Sequence, residues 1–122
     1  MSLAETFASI KVYHEALGYD YANCDTDEER MLHLRDNALA LYQEVSEIVN
    51  STPWKPWRPI EDQTFDMKNI SKEVVDCLFF LGAICEIFRI SPEKLNIAFN
   101  KVILDNYARI ESGYNNRKED RI

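Results

Sequence analysis

Three features of the sequence predict an all-α fold, a four-helix bundle. The first is how few turn residues there are: three Gly and four Pro in 122 residues. A chain so poor in them is a weak candidate for many strands. The second is apolar residues recurring at helical spacing along most of the chain. The third is a pair of sharp helix-start signals, at Thr26 and at Ser91-Pro92.

The first helix is predicted from about Leu3 to Leu17, with Leu3, Phe7, Ile10 and Leu17 on one stripe and Gly18 ending it. Residues 19–23 read as a polar linker. The second helix starts at Thr26, a side-chain cap, with Glu28 and Glu29 in the favourable first turn. It runs to about Asn50. Leu34, Ala38, Leu41, Val45 and Ile48 form one stripe, widened by Leu32, Leu39, Tyr42 and Val49. Such breadth predicts a central helix with more than one neighbour.

Residues 51–68 are the one long irregular segment; Pro53, Pro56 and Pro59 forbid a regular helix there. The third helix is expected from Asn69 or Ser71 to Phe88. It is apolar nearly all round from Val74 to Ile87, which predicts the most buried element. The fourth begins at Ser91, with Pro92 first and Glu93 in its first turn. Leu95, Ala98, Phe99, Val102, Ile103 and Ile110 are expected to face inward, and 113–122 to be a polar tail. The whole chain, 1–122, reads as one domain, with 1–25 an N-terminal helix and linker.

The composition, 46% hydrophobic and 29% charged, fits a folded protein rather than a disordered one. A net charge of −7 argues against nucleic acid or an anionic membrane as a partner, since both select basic surfaces. The longest apolar stretch, Cys77 to Ile84, is too short to span a bilayer. Cys24, Cys77 and Cys85 lack CxxC spacing and read as reduced thiols, and no secretory signal is visible at the N-terminus. A cytoplasmic location is the expectation, host cytoplasm if the gene is a phage's.

Chemistry concentrates in four acids. Glu44 and Glu47 are three apart on the second helix; Glu73 and Asp76 are three apart on the third. Residues at i and i+3 share a helix face, so each pair can aim two carboxylates at one point. Val45, Ile48, Val74, Val75, Cys77 and Leu78 interleave with them. A solvated charged face is not mixed so closely with core residues. Carboxylates drawn into apolar surroundings need partners, and divalent cations with a taste for oxygen, Mg²⁺ or Mn²⁺, supply them. A di-iron bundle would need Glu-x-x-His pairs, but Lys11 and Arg30 stand three residues before His14 and His33. Zinc is disfavoured because no His/Cys cluster exists. Nor does the chain contain a phosphate-cradling glycine loop or a nucleophilic triad.

The pattern ExxE, a spacer of 25 residues, then ExxD resembles the MazG-like all-α NTP pyrophosphohydrolases, which are related to the dimeric dUTPases. The likeness covers roughly residues 30–114. Trp54-Lys55, seven residues after Glu47, resembles a Trp-Lys pair whose tryptophan stacks on the base. Lys101, Asn106 and Arg109 resemble a late Lys…Asn-x-x-Arg motif that approaches the phosphates, and Gly113-Tyr114 is similar to a dimeric dUTPase ending. Asn37 resembles an asparagine of the family's second helix. Gln43 stands where many relatives carry another acid. Phe79 and Phe80 stand where dUTPases often have His and other relatives Tyr.

The resemblance implies a Mg²⁺-dependent enzyme, with Mn²⁺ as a substitute, that cleaves a (d)NTP to (d)NMP and pyrophosphate. It implies Glu44, Glu47, Glu73 and Asp76 as metal-binding catalytic residues. Asn37, Trp54, Lys55, Lys101, Asn106 and Arg109 would bind substrate. Because the dUTPase features are incomplete, a purine deoxynucleotide such as dGTP or dATP is favoured over dUTP or dCTP. A homotetramer built as a dimer of dimers is expected, with a dimer as the alternative. The competing class is a non-enzymatic helical interaction module.

Overall fold

The computed structural model describes residues 1–113, and these are all-helical: α1 (Leu3–Ala16), α2 (Asp27–Asn50), α3 (Met67–Ile87) and α4 (Pro92–Glu111). Short 3₁₀ turns occupy Tyr21–Asn23 and Ile60–Asp62. The expected tail lies, Gly113 apart, outside the described residues, as does Tyr114. No helix among the described residues is long and apolar enough to cross a membrane.

The caps sit where side-chain chemistry places them. Thr26 Oγ1 accepts the Glu29 N–H at 3.1 Å, and Ser91 Oγ accepts the Lys94 N–H at 3.1 Å. Gly18 closes α1 with a positive φ of 91° that a side chain would resist. The start of α3 falls earlier than expected, at Met67, because Asp66 caps it by accepting the Asn69 N–H at 3.1 Å. The irregular segment is therefore 51–66, and it contains a 3₁₀ turn.

The most extensive packing in the chain joins α2 to α3. The two form an antiparallel hairpin, with the end of α2 beside the start of α3. Its neck is tied by the Asp66 N–H donating to the Ser51 carbonyl at 2.9 Å and by Asn69 Nδ2 donating to Ser51 Oγ at 2.7 Å. The loop between can vary without shifting the helices' register, since these bonds close it at its base. Helix α1 lies against α3 and α4. Its approach to α3 is close at Gly82, where an added Cβ would come within 2.6 Å of Ile10 Cγ2.

The interior is small: Tyr21, Ala83 and Ile87 form its centre, with Phe7, Ile10 and Cys24 also buried. Three expectations are corrected here. The 19–23 segment is not simply a polar linker, because Tyr21 is buried. Leu17 is exposed, unlike the rest of its proposed stripe. Helix α4 buries no residue at all: Ala98, Phe99, Val102, Ile103 and Ile110, expected inside, are exposed. The periodicity of α4 is real, but among the described residues its main neighbour is α1. Helix α3 carries the most buried residues of the four helices, as expected, although Val74, Val75 and Leu81 on it are exposed.

Candidate active site

The antiparallel hairpin brings the acids of α2 onto those of α3. Carboxylate oxygens of Glu44, Glu47 and Glu73 lie within 4.8 Å of one another. Glu73 is only 4% exposed. Glu44 Oε2 and Glu73 Oε2 are sealed from solvent, and no protein donor reaches either among the described residues. Orphaned carboxylate oxygens in a low-dielectric setting are costly. A hydrogen bond to Glu73, then burial and the neighbouring acids, push the Glu44 carboxyl up to about 7. The same bond from Glu44 holds Glu73 below the ordinary carboxylate range. A hard divalent cation satisfies the same oxygens, so the donor set fits one.

Asp76, one turn along α3, accepts a hydrogen bond from Lys72 Nζ at 3.2 Å, and the same ammonium lies 3.7 Å from Glu73 Oε1. Asp76 and Glu44 form one end of a cavity of about 420 Å³. Its other walls are mainly aromatic: Tyr13, Tyr19, Tyr21, Phe79 and Phe80, with His14 and Asn37 as polar groups. Tyr19 and Tyr21 stack at 5.2 Å, nearly parallel, and Tyr13 meets Phe79 edge-on at 5.1 Å. Burial raises the Tyr21 phenol, against a hydrogen bond from Asn37 that lowers it. Asn37 Nδ2 also donates to the His33 carbonyl at 2.9 Å, which fixes the amide on α2. In the wall itself, His14 Nδ1 lies 2.6 Å from Glu86 Oε2, both nearly buried. Burial raises the Glu86 carboxyl, and the His14 bond opposes it.

A family model described as dUTPase matches residues 20–110 of the chain. The chain belongs to the dUTPase family. No curated protein and no solved structure matches it. Family membership brings with it an all-α nucleotide hydrolase of pyrophosphatase type. In this dUTPase-family chain the matched span holds all four acids. Helix α1, which supplies Tyr13 and His14 to the cavity, precedes it.

Among the residues expected to bind substrate, Asn37 is in the cavity. Trp54 is not: it is partly exposed, its indole N–H donates to Asn50 Oδ1 at 3.0 Å, and it meets Trp57 edge-on. Asn50 lines a polar depression on the other side of the acids, with Glu47, Asn69 and Glu73. Lys55 has its backbone N–H and carbonyl paired with the Gln63 side chain. Lys101, Asn106 and Arg109 are on α4 and line neither the cavity nor the depression. Lys101 pairs with Asp105 at 3.2 Å.

The sequence assigns no role to Glu86, Tyr21 or Lys72, and His14 reads there only as a helix-surface or packing residue. Glu86 carried a signal, a lone acid inside the apolar run of α3. His14 offered none, since its partner is 72 positions away.

Proposed function

We propose that the chain is a Mg²⁺-dependent nucleoside-triphosphate pyrophosphohydrolase that converts a (d)NTP and water to (d)NMP and pyrophosphate, with Mn²⁺ as a working substitute. The observation that carries this reading is the join between cavity and acids. One pocket offers carboxylates at one end and aromatic faces at the other. A nucleotide whose phosphates are bound through cations and whose base stacks has that same polarity.

Glu44, Glu47, Glu73 and Asp76 would hold the metal. When bound, Mg²⁺ supplies positive charge at the triphosphate and makes water more acidic. The neighbouring acids that raise the Glu44 carboxyl would favour a cation beside it. Glu44 and Glu47 are the carboxylates positioned to accept a proton from attacking water. Lys72 keeps Asp76 oriented. Tyr21 and Phe80 flank the base, and Asn37 meets its polar edge or the sugar. Trp54 and Lys55 approach from the Glu47 side, where they cover the phosphates.

Helix α4 enters the proposal through oligomerisation. Ile97, Leu104 and Tyr107 are more than 60% exposed, a wide apolar face for one helix. We assign that face to a second copy, in a dimer of dimers that carries Lys101, Asn106 and Arg109 to a neighbour's phosphates.

Two readings of the base rest on different observations. Phe79 and Phe80, in place of the usual polar residues, favour a purine deoxynucleotide such as dGTP or dATP. The family match favours dUTP, with dCTP as its near relative. Incubating the chain with each common (d)NTP and Mg²⁺ and resolving the products tests both. Monophosphate and pyrophosphate are expected. Diphosphate with orthophosphate would overturn the bond assignment. No turnover, together with no Mg²⁺-dependent rise in melting temperature, would return the chain to the interaction-module class.

A further inference from the structure

A second group of metal-binding side chains lies at the other end of α2. Glu29 and His33 are one turn apart on one face of that helix. Cys24 precedes its cap and folds back onto them. Cys24 Sγ, a carboxylate oxygen of Glu29 and a ring nitrogen of His33 lie within 4.8 Å of one another. The expectation that no His/Cys cluster exists is corrected here: the turn ahead of α2 brings Cys24 to His33, nine positions away. About 11 residues at 1.5 Å each separate His33 from Glu44, roughly 16 Å along the helix axis, so the two clusters are distinct.

The group is held in place by its surroundings. Cys24 is 3% exposed. Its carbonyl accepts from Arg30 Nη1 at 3.0 Å, and the Asp25 N–H donates to Glu29 Oε2 at 3.0 Å. The His33 ring meets Tyr21 edge-on at 5.4 Å. Burial raises the Cys24 thiol, and Glu29, Asp25 and Asp20 add to that, outnumbering Arg30, which lowers it.

We propose that Cys24, Glu29 and His33 form a Zn²⁺ site, with water as the fourth ligand. Thiolate, imidazole and carboxylate together suit a borderline-soft ion and not Mg²⁺, which takes oxygen. Tetrahedral zinc with bonds of about 2.0–2.3 Å needs ligand atoms about 3.3–3.8 Å apart, a spacing that small side-chain rotations reach from here. Binding releases the thiol proton to solvent. The ion clips the Tyr21–Asn23 turn to α2. Because Tyr21 is also a wall of the aromatic cavity, the clip fixes that wall. The proposal is independent of the nucleotide chemistry and is read without substrate.

The test is a titration of the reduced, metal-free full chain with Co²⁺ in excess Mg²⁺, followed by Zn²⁺. One equivalent of Co²⁺ should produce a thiolate-to-cobalt charge-transfer band and tetrahedral visible bands, all abolished by Zn²⁺. Cys24→Ser should remove the charge-transfer band while its far-ultraviolet circular dichroism stays helical. His33→Gln should weaken Co²⁺ binding by at least about tenfold, the scale of losses seen even for outer-shell partners. Cys77→Ser and Glu47→Ala should both retain the band. A wild-type chain without the band overturns the site. So does a band that survives Cys24→Ser, or one lost in Glu47→Ala, which would place the metal at the acids of the hairpin.

Discussion

The α2–α3 hairpin and α4 are both amphipathic, yet among the described residues the most extensive packing is the hairpin's own. In the hairpin, Ser51, Asp66 and Asn69 tie the neck, and the acids of the two helices meet. On α4, no residue is buried and large apolar side chains stand exposed. The hairpin too exposes apolar side chains, Leu39 and Tyr42 among them, but it also holds unsatisfied oxygens, which call for a cation. The unsatisfied groups of α4 are carbon surface, which calls for more protein. The difference divides the proposed machinery into a part this chain builds alone and a part it can only lend.

The largest effect should come from breaking the self-contained half. Glu47→Ala is expected to lower turnover by about 10³-fold or more, since metal-ion stabilisation of a transition state is worth several kcal/mol. Its helical circular dichroism should be retained, because removing one of several crowded acids relieves repulsion. Near-normal turnover with saturating Mg²⁺ would sink the carboxylate assignment.

The lent half is broken at Leu104, 69% exposed on α4. A charge there costs the isolated fold little and disrupts an apolar interface. Leu104→Glu should sediment as a smaller species. If Lys101 and Arg109 act on a neighbour's substrate, turnover should also fall by about 10²-fold, the scale of losing a charge-stabilising donor. A wild-type chain that sediments as a monomer and turns over normally would contradict the division.

These contrasts also show what the sequence could reveal. The caps at Thr26 and Ser91 and the pairs Glu44/Glu47 and Glu73/Asp76 are local, and spacing alone placed each pair on one face. The resemblance then supplied their meeting across the hairpin. The His14–Glu86 pair and the aromatic cavity were hidden, because their members come from α1, the Tyr21 turn, α2 and α3, with no common period. Helix α4 was misread for another reason. A stripe announces that a face will be buried, but not whether its partner is in the same chain.

A smaller effect separates two aromatic regions. Phe80 and Glu44 both line the cavity, whereas Trp54 stands off it. Phe80→Ala should weaken substrate binding by about 5- to 150-fold, the 1–3 kcal/mol of one stacking contact. Trp54→Ala should cost less affinity, the opposite of what its sequence context implied. Isothermal titration with a non-hydrolysable triphosphate analogue measures both. A larger loss at Trp54 would move the base to the loop side of the acids.

The smallest effect concerns how the hairpin copes without a metal. Glu44 is raised to about 7 from an ordinary value of 4.5, so between these limits the folded chain holds a proton that the unfolded chain lacks. Stability from Glu44 is therefore complete below about 4.5 and is lost as pH rises through about 7. Glu73 is lowered, so its contribution has the opposite sign: it is present above 4.5 and lost as pH falls. Together they predict greatest stability for the metal-free protein in mild acid. In chelator, the melting temperature should drop by a few degrees between about pH 5.5 and about pH 8. Adding Mg²⁺ at the upper pH should recover it, since the cation takes over the proton's place between the two carboxylates. Glu44→Gln keeps a hydrogen-bond donor toward Glu73 at every pH, so its melting temperature should vary less across the same range. If Glu44→Gln and the unaltered chain give parallel curves, the shared proton is not what holds the two acids together.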